Sequence, residues 1–213
     1  MIFIVDDHPM MRDGLGQLIG KETDLAVCGE AEDAAEALKQ IEELAPDLVI
    51  VDITLRSSNG LELIKDLQIR APKTAVLVIS MHDESLYAER VLRAGGRGYV
   101  MKQEGGKKLM EAIRQVLSGQ TYISAKISAR IVDAFSGRRP GNLSPVGALT
   151  DREFEVFQLI GAGLSTKEVA AKLYVSAKTV EVHRVNIKQK LNVGTATELV
   201  HFATRWAEAQ SRT

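Results

Sequence analysis

Residues 2–9 read IFIVDDHP, in which four apolar residues are followed at once by two aspartates. Further short apolar runs occupy Leu25–Cys28, Leu48–Val51, Ala75–Ile79 and Gly98–Met101. Runs that are nearly continuous in apolar residues are typical of parallel strands buried on both faces. The run Ile2–Val5 and the later runs therefore predict the strands of one sheet.

Segments with helical periodicity separate these runs. Ala34–Leu44 carries apolar residues at helical spacing and ends before Pro46, which disfavours helix in the residue before it. The other predicted helices are Leu61–Ile69, Ser85–Leu92 and Lys107–Leu117. Strands that alternate with helices predict an open, doubly wound α/β sheet with five parallel strands.

The overall composition is that of a folded protein with room for two domains. The chain has 213 residues, of which 45% are hydrophobic and 26% charged, and its net charge is −1. Its apolar runs are shorter than the roughly 18 residues that a membrane span needs. Its single cysteine, Cys28, cannot form an internal disulfide. We therefore expect a cytoplasmic protein that does not associate with membranes.

The sequence changes character at Phe135–Ala148, where glycine, proline and serine replace the apolar periodicity. This composition predicts a flexible linker between two domains. The sharpest charge asymmetry of the chain follows it, because Lys167–Lys190 contains six basic and two acidic residues. A basic segment in a mildly acidic protein favours an anionic partner, and nucleic acid first.

Polar side chains follow directly on four of the five predicted strands. They are Asp6, Asp7, Asp52, Ser80 and Lys102. Because the carboxyl ends of parallel strands meet at one edge of a sheet, we expect these side chains to lie together. Clustered carboxylates repel unless a hard cation such as Mg²⁺ binds them, and Mg²⁺ also suits phosphoryl transfer. The pattern predicts a pocket for Mg²⁺ and a phosphoryl group.

Residues 1–117 resemble the receiver domain of two-component response regulators, most specifically in Val5–Pro9 and Gly98–Lys102. The resemblance implies a flavodoxin-like fold, phosphorylation of Asp52 and a sensor histidine kinase as partner. It assigns Mg²⁺ binding to Asp6, Asp7, Asp52 and the backbone carbonyl of Thr54. It assigns phosphate binding and switching to Ser80, Tyr99 and Lys102. Arg56 stands where the family usually has a proline.

The receiver resemblance also implies a switching mechanism. Phosphorylation would make the Asp52 side chain more negative by roughly one charge. Ser80 would swing toward the phosphoryl oxygens, and Tyr99 would turn inward to fill the vacated space. The face formed by the fourth helix, the fifth strand and the fifth helix would change as a result.

Helix-start signals organise the C-terminal part of the chain. Thr150 with Glu153, and Ser165 with Glu168, have the spacing of capping boxes, and Ser176 opens a third helix. The buried stripe of that third helix is predicted to be Val180, Ile187 and Leu191. A helix, a short turn and a longer basic helix indicate helix-turn-helix geometry.

Residues 147–208 resemble the LuxR-type DNA-binding domain of the NarL/FixJ class, an all-α unit of four helices. The resemblance implies that the third helix, about 176–191, enters the major groove of double-stranded DNA. The candidate base contacts are Glu181, Val182 and Val185. The candidate phosphate contacts are Lys167, Lys178, Thr179, Arg184, Lys188 and Lys190. His183 is a candidate for either a backbone contact or a structural role.

The sequence thus predicts a receiver domain over 1–118, a connecting helix and linker over 119–148, and a DNA-binding domain over 149–213. The expected function is phosphorylation-dependent regulation of transcription by a homodimer on DNA, with RNA polymerase as a candidate partner. The alternatives are a phosphorylation-independent regulator and a protein-binding receiver. An enzyme is not expected, because an aspartyl-phosphate phosphohydrolase usually has a second aspartate at the position of Thr54.

Overall fold

A computed structural model of the chain describes residues 1–55, 59–135 and 145–210. The chain divides into two compact units, Met1–Phe135 and Ser136–Thr213. Most of the predicted linker, residues 136–144, lies outside the described residues, and so does Arg56.

The first unit is built on a five-stranded parallel sheet with the strand order β2-β1-β3-β4-β5. The strands are β1 (Ile2–Val5), β2 (Val27–Ala31), β3 (Leu48–Asp52), β4 (Ala75–Ser80) and β5 (Gly98–Met101). Every residue of β1 and β3 is buried, which explains why β1 is wholly apolar and β3 is apolar up to its last residue, Asp52. The predicted doubly wound α/β sheet is confirmed.

Helices connect the strands. They are α1 (Pro9–Ile19), α2 (Ala34–Leu44), α3 (Gly60–Arg70), α4 (Glu84–Arg93) and α5 (Gly105–Leu117), and α6 (Ala125–Phe135) follows them. The predicted bounds of α2 are confirmed. The helix begins after Asp33, whose side chain accepts hydrogen bonds from the backbone N–H groups of Ala35 and Glu36. The helix α1 begins at a proline, a residue that is favoured at the first position of a helix.

The predicted position of the second strand is wrong, because the strand begins two residues later and ends three residues later than predicted. Leu25–Cys28 was expected, whereas β2 covers Val27–Ala31 and pairs Ile4 with Glu30. Because β2 lies at the edge of the sheet, it is partly exposed and includes a glycine and a glutamate. The apolar run Leu25–Cys28 therefore does not predict the position of β2.

The opposite edge of the sheet, at β5, is covered by residues that precede α6. Tyr122 forms a parallel bridge with Gly98. Its backbone N–H donates to the Arg97 carbonyl, and its carbonyl accepts from the Tyr99 N–H, each at 2.9 Å. A side chain at Gly98 would be crowded here, since an added Cβ would lie 2.7 Å from Leu77 Cδ1 and 3.1 Å from the Tyr122 carbonyl oxygen. At the start of α6, the Ser124 N–H donates to Glu84 of α4.

The second unit is helical. Its helices are α7 (Asp151–Gly161), α8 (Thr166–Lys172), α9 (Ala177–Leu191) and α10 (Ala196–Gln210). Both predicted capping boxes are present, at Thr150 and at Ser165. Trp206 of α10 packs edge-on against Phe154 and Phe157 of α7, with ring centroids 5.6 and 5.4 Å apart. The predicted helix-turn-helix, formed by α8 and α9, is confirmed.

Candidate phosphoacceptor pocket and nucleic-acid interface

The carboxyl ends of three neighbouring strands bring polar side chains into the interior of the first unit. Asp6 follows β1, Asp52 is the last residue of β3 and Ser80 is the last residue of β4. All three are buried. Burying a carboxylate costs free energy unless it is paired or binds a cation. The partners of Asp6 and Asp52 therefore indicate the function of this pocket.

Lys102 pairs with both buried carboxylates. Its ammonium nitrogen donates to Asp6 Oδ2 and to Asp52 Oδ2, each at 2.7 Å, and its side chain is 6% exposed. Burial raises the pKa of the Asp52 carboxyl, and the hydrogen bond from Lys102 opposes that rise. Burial alone would lower the pKa of Lys102, but hydrogen bonds to Asp52 and Asp6 outweigh it and the pKa is raised.

The turn after β1 completes an acidic cluster. The His8 backbone N–H donates to Asp6 Oδ1 at 2.8 Å, and the His8 ring nitrogen Nδ1 lies 2.8 Å from Asp7 Oδ1. That Asp7 oxygen is shielded from solvent and accepts no hydrogen bond from the described residues. One ligand atom from each of Asp6, Asp7, His8 and Asp52 lies within 4.8 Å of the others. The carboxylate oxygens of this cluster fit a hard divalent cation.

A chain of contacts through His82 links Asp52 to Tyr99. The Thr54 N–H donates to Asp52 Oδ1 at 3.2 Å, and the Thr54 hydroxyl lies 3.1 Å from His82 Nε2. The His82 N–H donates to the Ser80 hydroxyl at 3.2 Å, and the Tyr99 hydroxyl donates to the His82 carbonyl at 2.9 Å. Tyr99 is buried, and burial raises the pKa of its hydroxyl. Sequence reasoning missed this role of His82, although it stands only two residues after β4.

Arg12 of α1 is a second residue that sequence reasoning missed. Its Nη1 donates to the Asp6 carbonyl at 2.7 Å, and its Nε lies 3.5 Å from Glu30 Oε2. The guanidinium thereby holds the backbone of Asp6 from outside the acidic cluster. No local sequence pattern points to it, because its partners come from β2 and from the turn after β1.

In the second unit, α9 has a buried stripe and an exposed face. Val180, Ile187 and Leu191 are buried, as predicted. Val182 and Val185 are 53% and 47% exposed. Apolar side chains in water on an otherwise polar helix face are typical of a contact surface. Lys188 and Val185 also line a shallow cavity of 280 Å³ at the end of α9, together with Gln189, Asn192, Val193 and Gly194.

The predicted phosphate contacts fall into two groups. Lys167 and Lys178 are exposed, and Thr179 is half-buried with its hydroxyl 2.8 Å from that of Ser176. Arg184, in contrast, is engaged within the unit, because its Nη1 donates to the Thr166 hydroxyl at 3.2 Å. Lys190 is also engaged, since its ammonium nitrogen donates to Glu153 Oε2 at 2.6 Å.

Two further predicted residues lie beside these internal contacts. Glu181 is exposed, and its Oε1 accepts a hydrogen bond from the Thr166 hydroxyl at 2.8 Å. His183 is half-buried, and its Nδ1 has no hydrogen-bond partner among the described residues. Burial lowers the pKa of His183, and the nearby charge of Arg152 lowers it further. His183 is therefore favoured as a neutral side chain, which is a weak phosphate contact.

Comparison with known proteins decides the family. Residues 2–114 match the response regulator receiver domain, and residues 147–203 match the bacterial regulatory proteins of the luxR family. The chain belongs to the two-component response regulators. Both matches coincide with the units that hold the acidic cluster and the helix-turn-helix, so the resemblances drawn from the sequence are confirmed.

This response regulator has relatives that match almost its whole length. It is 35% identical to the oxygen regulatory protein NreC of Staphylococcus aureus (strain bovine RF122 / ET3-1) over 209 residues, 96% of each protein. A LuxR-family response regulator from Aurantimonas sp. SI85-9A1 is 34% identical, with a TM-score of 0.58 over 63% of this chain and 96% of the other.

A more distant structure shares the fold. RcsB of Salmonella enterica serovar Typhimurium, bound to promoter rprA in the presence of the phosphomimetic BeF3-, is 24% identical to this response regulator. Its TM-score is 0.64, over 95% of this chain and 97% of RcsB.

The family defines the general activity. This response regulator is a DNA-binding regulator of transcription and not an enzyme. Within the part of the chain that the structure describes, no helix is long and apolar enough to cross a bilayer.

Proposed function

We propose that a sensor histidine kinase phosphorylates Asp52 and that the phosphorylated protein binds double-stranded DNA as a homodimer to regulate transcription in the cytoplasm. The pairing of Asp52 with Lys102 in a buried pocket carries the proposal. A carboxylate must be ionised to attack phosphorus, and burial alone works against ionisation. The Lys102 ammonium, 2.7 Å away, opposes that effect and provides a cation for the incoming phosphoryl group.

The transfer step follows from this geometry. An oxygen of Asp52 attacks the phosphorus of a phosphohistidine on the kinase, the phosphorus–nitrogen bond breaks, and its electron pair returns to the imidazole. Asp6 and Asp7, with Asp52 and the Thr54 carbonyl, would hold Mg²⁺, whose charge neutralises the phosphoryl oxygens. Asp7 Oδ1 supports this assignment, because it is shielded from solvent and, although His8 Nδ1 lies 2.8 Å away, it accepts no hydrogen bond from the described residues.

The switch would run through residues that already touch one another. The Ser80 hydroxyl accepts a hydrogen bond from the His82 N–H and can donate its own proton to a phosphoryl oxygen. Movement of the segment around His82 would disturb its carbonyl contact with the Tyr99 hydroxyl. We assign Ser80, Tyr99 and Lys102 to phosphate binding and switching on these contacts.

The DNA contact would be made by the exposed face of α9 in the major groove. Glu181, Val182 and Val185 are assigned to base edges. Lys167, Lys178, Thr179 and Lys188 are assigned to phosphates. Arg184, His183 and Lys190 are better placed to support α9, because the first and last form hydrogen bonds inside the unit and His183 is half-buried.

The remaining assignments extend the proposal to the whole chain. Residues 1–118 would form the receiver, 119–148 the connecting helix and linker, and 149–213 the DNA-binding domain. A dimer formed through α10 would place two copies of α9 on two half-sites, and RNA polymerase would be a further partner.

The test is binding of the purified full chain to fragments of its own genome, with Mg²⁺ and with or without a small-molecule phosphodonor. We expect tight binding that depends on the donor in the wild type and is lost in Asp52→Ala. No binding by either protein would favour a receiver that acts on a protein partner instead.

A phosphorylation-independent regulator is the second candidate, and one observation favours it. Tyr99 is already buried, with its hydroxyl on the His82 carbonyl, which is the inward position expected only after phosphorylation. Equal binding of the wild type and Asp52→Ala to DNA, unaffected by the donor, would support this candidate and contradict the switch.

A further inference from the structure

A polar cluster joins the first residue of α8 to the exposed face of α9. The Thr166 hydroxyl donates to Glu181 Oε1 at 2.8 Å, and Arg184 Nη1 donates to the Thr166 hydroxyl oxygen at 3.2 Å. Arg184 Nε lies 3.8 Å from Glu181 Oε1. We call these three side chains the Thr166 cluster.

The direction of the hydrogen bonds in the Thr166 cluster is fixed by chemistry. A guanidinium has only donors and an ionised carboxylate has only acceptors. The hydroxyl of Thr166 must therefore accept from Arg184 and give its single proton to Glu181. Serine carries the same hydroxyl and can accept and donate in the same way.

Burial differs across the Thr166 cluster. The Arg184 side chain is 15% exposed, whereas that of Glu181 is 58% exposed. An exposed glutamate normally samples several rotamers, and ordering it on DNA costs conformational entropy. The hydrogen bond from Thr166 restrains Glu181 before DNA arrives. Glu181 is one residue from Val182 and four from Val185, so all three share the exposed side of α9.

The Thr166 cluster also reduces the electrostatic cost of a carboxylate near DNA. A lone glutamate would be repelled by the phosphates, but the guanidinium of Arg184 offsets that charge from 3.8 Å. Thr166 uses one of the lone pairs of Oε1, which leaves the carboxylate with acceptor capacity for a hydrogen bond from outside. In the major groove, a carboxylate pairs with the amino group of cytosine.

We propose that Thr166 is a positioning residue for base recognition, which aims the carboxylate of Glu181 at the amino group of a cytosine. This inference rests on the proposed DNA contact of α9. It predicts that sequence preference at one base pair depends on a hydroxyl in α8, which itself stays out of reach of that base.

The test selects binding sites from a randomised DNA library with the full chain, with Mg²⁺ and with or without a phosphodonor. The variants are Thr166→Val, which keeps the shape and removes the hydroxyl, Thr166→Ser, which keeps the hydroxyl, and Glu181→Ala, which removes the acceptor. Dissociation constants are then measured for the selected site and for sites changed at single positions. Thermal unfolding checks that each variant folds.

For the wild type and Thr166→Ser we expect a preference for cytosine of about tenfold at one position of each half-site. For Thr166→Val the preference should fall to about threefold or less, with the other positions unchanged. A wild-type preference in Thr166→Val would overturn the proposal, and so would a uniform loss of affinity for all sequences, since that indicates only a structural role.

Glu181→Ala separates this inference from the proposed function, because alanine has no acceptor for a cytosine amino group. Binding that keeps its full base preference in Glu181→Ala would refute the reading by Glu181 and leave DNA binding itself intact. If the wild type selects no sequence with or without the donor, the proposed function fails, and the role of Thr166 fails with it.

Discussion

Each unit of this response regulator holds a lysine against a buried carboxylate, but the two lysines differ in their surroundings. Lys102 is 6% exposed and bridges two buried aspartates at the ends of two strands. Lys190 is 35% exposed and pairs with one buried glutamate, Glu153, across α7 and α9. The same ion-pair chemistry therefore occurs once in an acidic pocket and once in a helix contact.

The two sites differ in whether their carboxylate oxygens all have hydrogen-bond partners. Around Glu153, the Thr150 N–H and Lys190 both donate to the carboxylate, and Glu153 completes a capping box. Around Lys102, the neighbouring Asp7 still has a solvent-shielded oxygen that accepts no hydrogen bond from the described residues. An ion pair whose hydrogen-bonding groups all have partners serves to stabilise the fold. A pocket with more buried carboxylates than cations, in contrast, is a candidate site for binding a further cation.

Replacing Lys102 is expected to have the largest effect. Lys102→Met leaves Asp6 and Asp52 buried without their cation, which should lower the free energy of unfolding by about 3 kcal/mol at neutral pH. DNA binding that depends on a phosphodonor should be lost. Denaturant unfolding measures the first effect, and adding Mg²⁺ should restore part of the stability. Donor-dependent binding by the variant would contradict the role given to Lys102.

Replacing Lys190 tests the other side of the comparison. Lys190→Met should lower the free energy of unfolding by about 1 kcal/mol, because solvent screens the half-exposed ammonium. Mg²⁺ should not restore it. The loss should depend on pH. Burial would raise the pKa of Glu153, but hydrogen bonds from Lys190 and Thr150 outweigh burial and lower it.

A carboxyl with a lowered pKa stabilises the fold above its unfolded pKa, and this contribution disappears as the pH falls through the folded value. The difference between Lys190→Met and the wild type should therefore be full at neutral pH. It should shrink below the ordinary glutamate value of 4.5. Unfolding curves between pH 7 and pH 3 measure it, and a difference that is constant with pH would argue against the Glu153 pair.

Replacing Lys178 is expected to have the smallest effect on the fold. Lys178 is exposed on α9, so Lys178→Met should change the free energy of unfolding by less than about 0.5 kcal/mol. The slope of log binding constant against log salt concentration should fall by about one, as for one lost phosphate contact. Lys190→Met is the matched control and should leave that slope unchanged. A lower slope for Lys190→Met and an unchanged slope for Lys178→Met would instead identify Lys190 as the phosphate contact.

How far the sequence predicts this molecule depends on whether the signal is local. The buried strands and the capping boxes at Thr150 and Ser165 are local patterns, and the structure bears them out. The strand β2 was misplaced because an edge strand is partly exposed and loses the apolar run that marks a buried one.

The site contacts were predictable only in part. Polar residues at strand ends could be grouped because the topology of a parallel sheet brings those ends together. The pairs Lys190–Glu153 and Thr166–Glu181 join different helices, 37 and 15 residues apart, and no sequence pattern records such contacts. Lys190 was therefore predicted as a phosphate contact from its charge and its place in the third helix, although its ammonium group is bound within its own unit.

The bridge between Tyr122 and Gly98 has a consequence for how the receiver can associate. An edge strand normally offers unpaired backbone groups to any neighbouring chain, which is a common route to strand addition and aggregation. Here the receiver's own chain occupies that position beside β5. A fragment cut directly after α5 would lose the backbone hydrogen bonds of Tyr122 with Arg97 and Tyr99, so we expect the segment that follows residue 118 to help stabilise the receiver. Strand addition by a partner is therefore blocked at the Arg97–Tyr99 part of this edge.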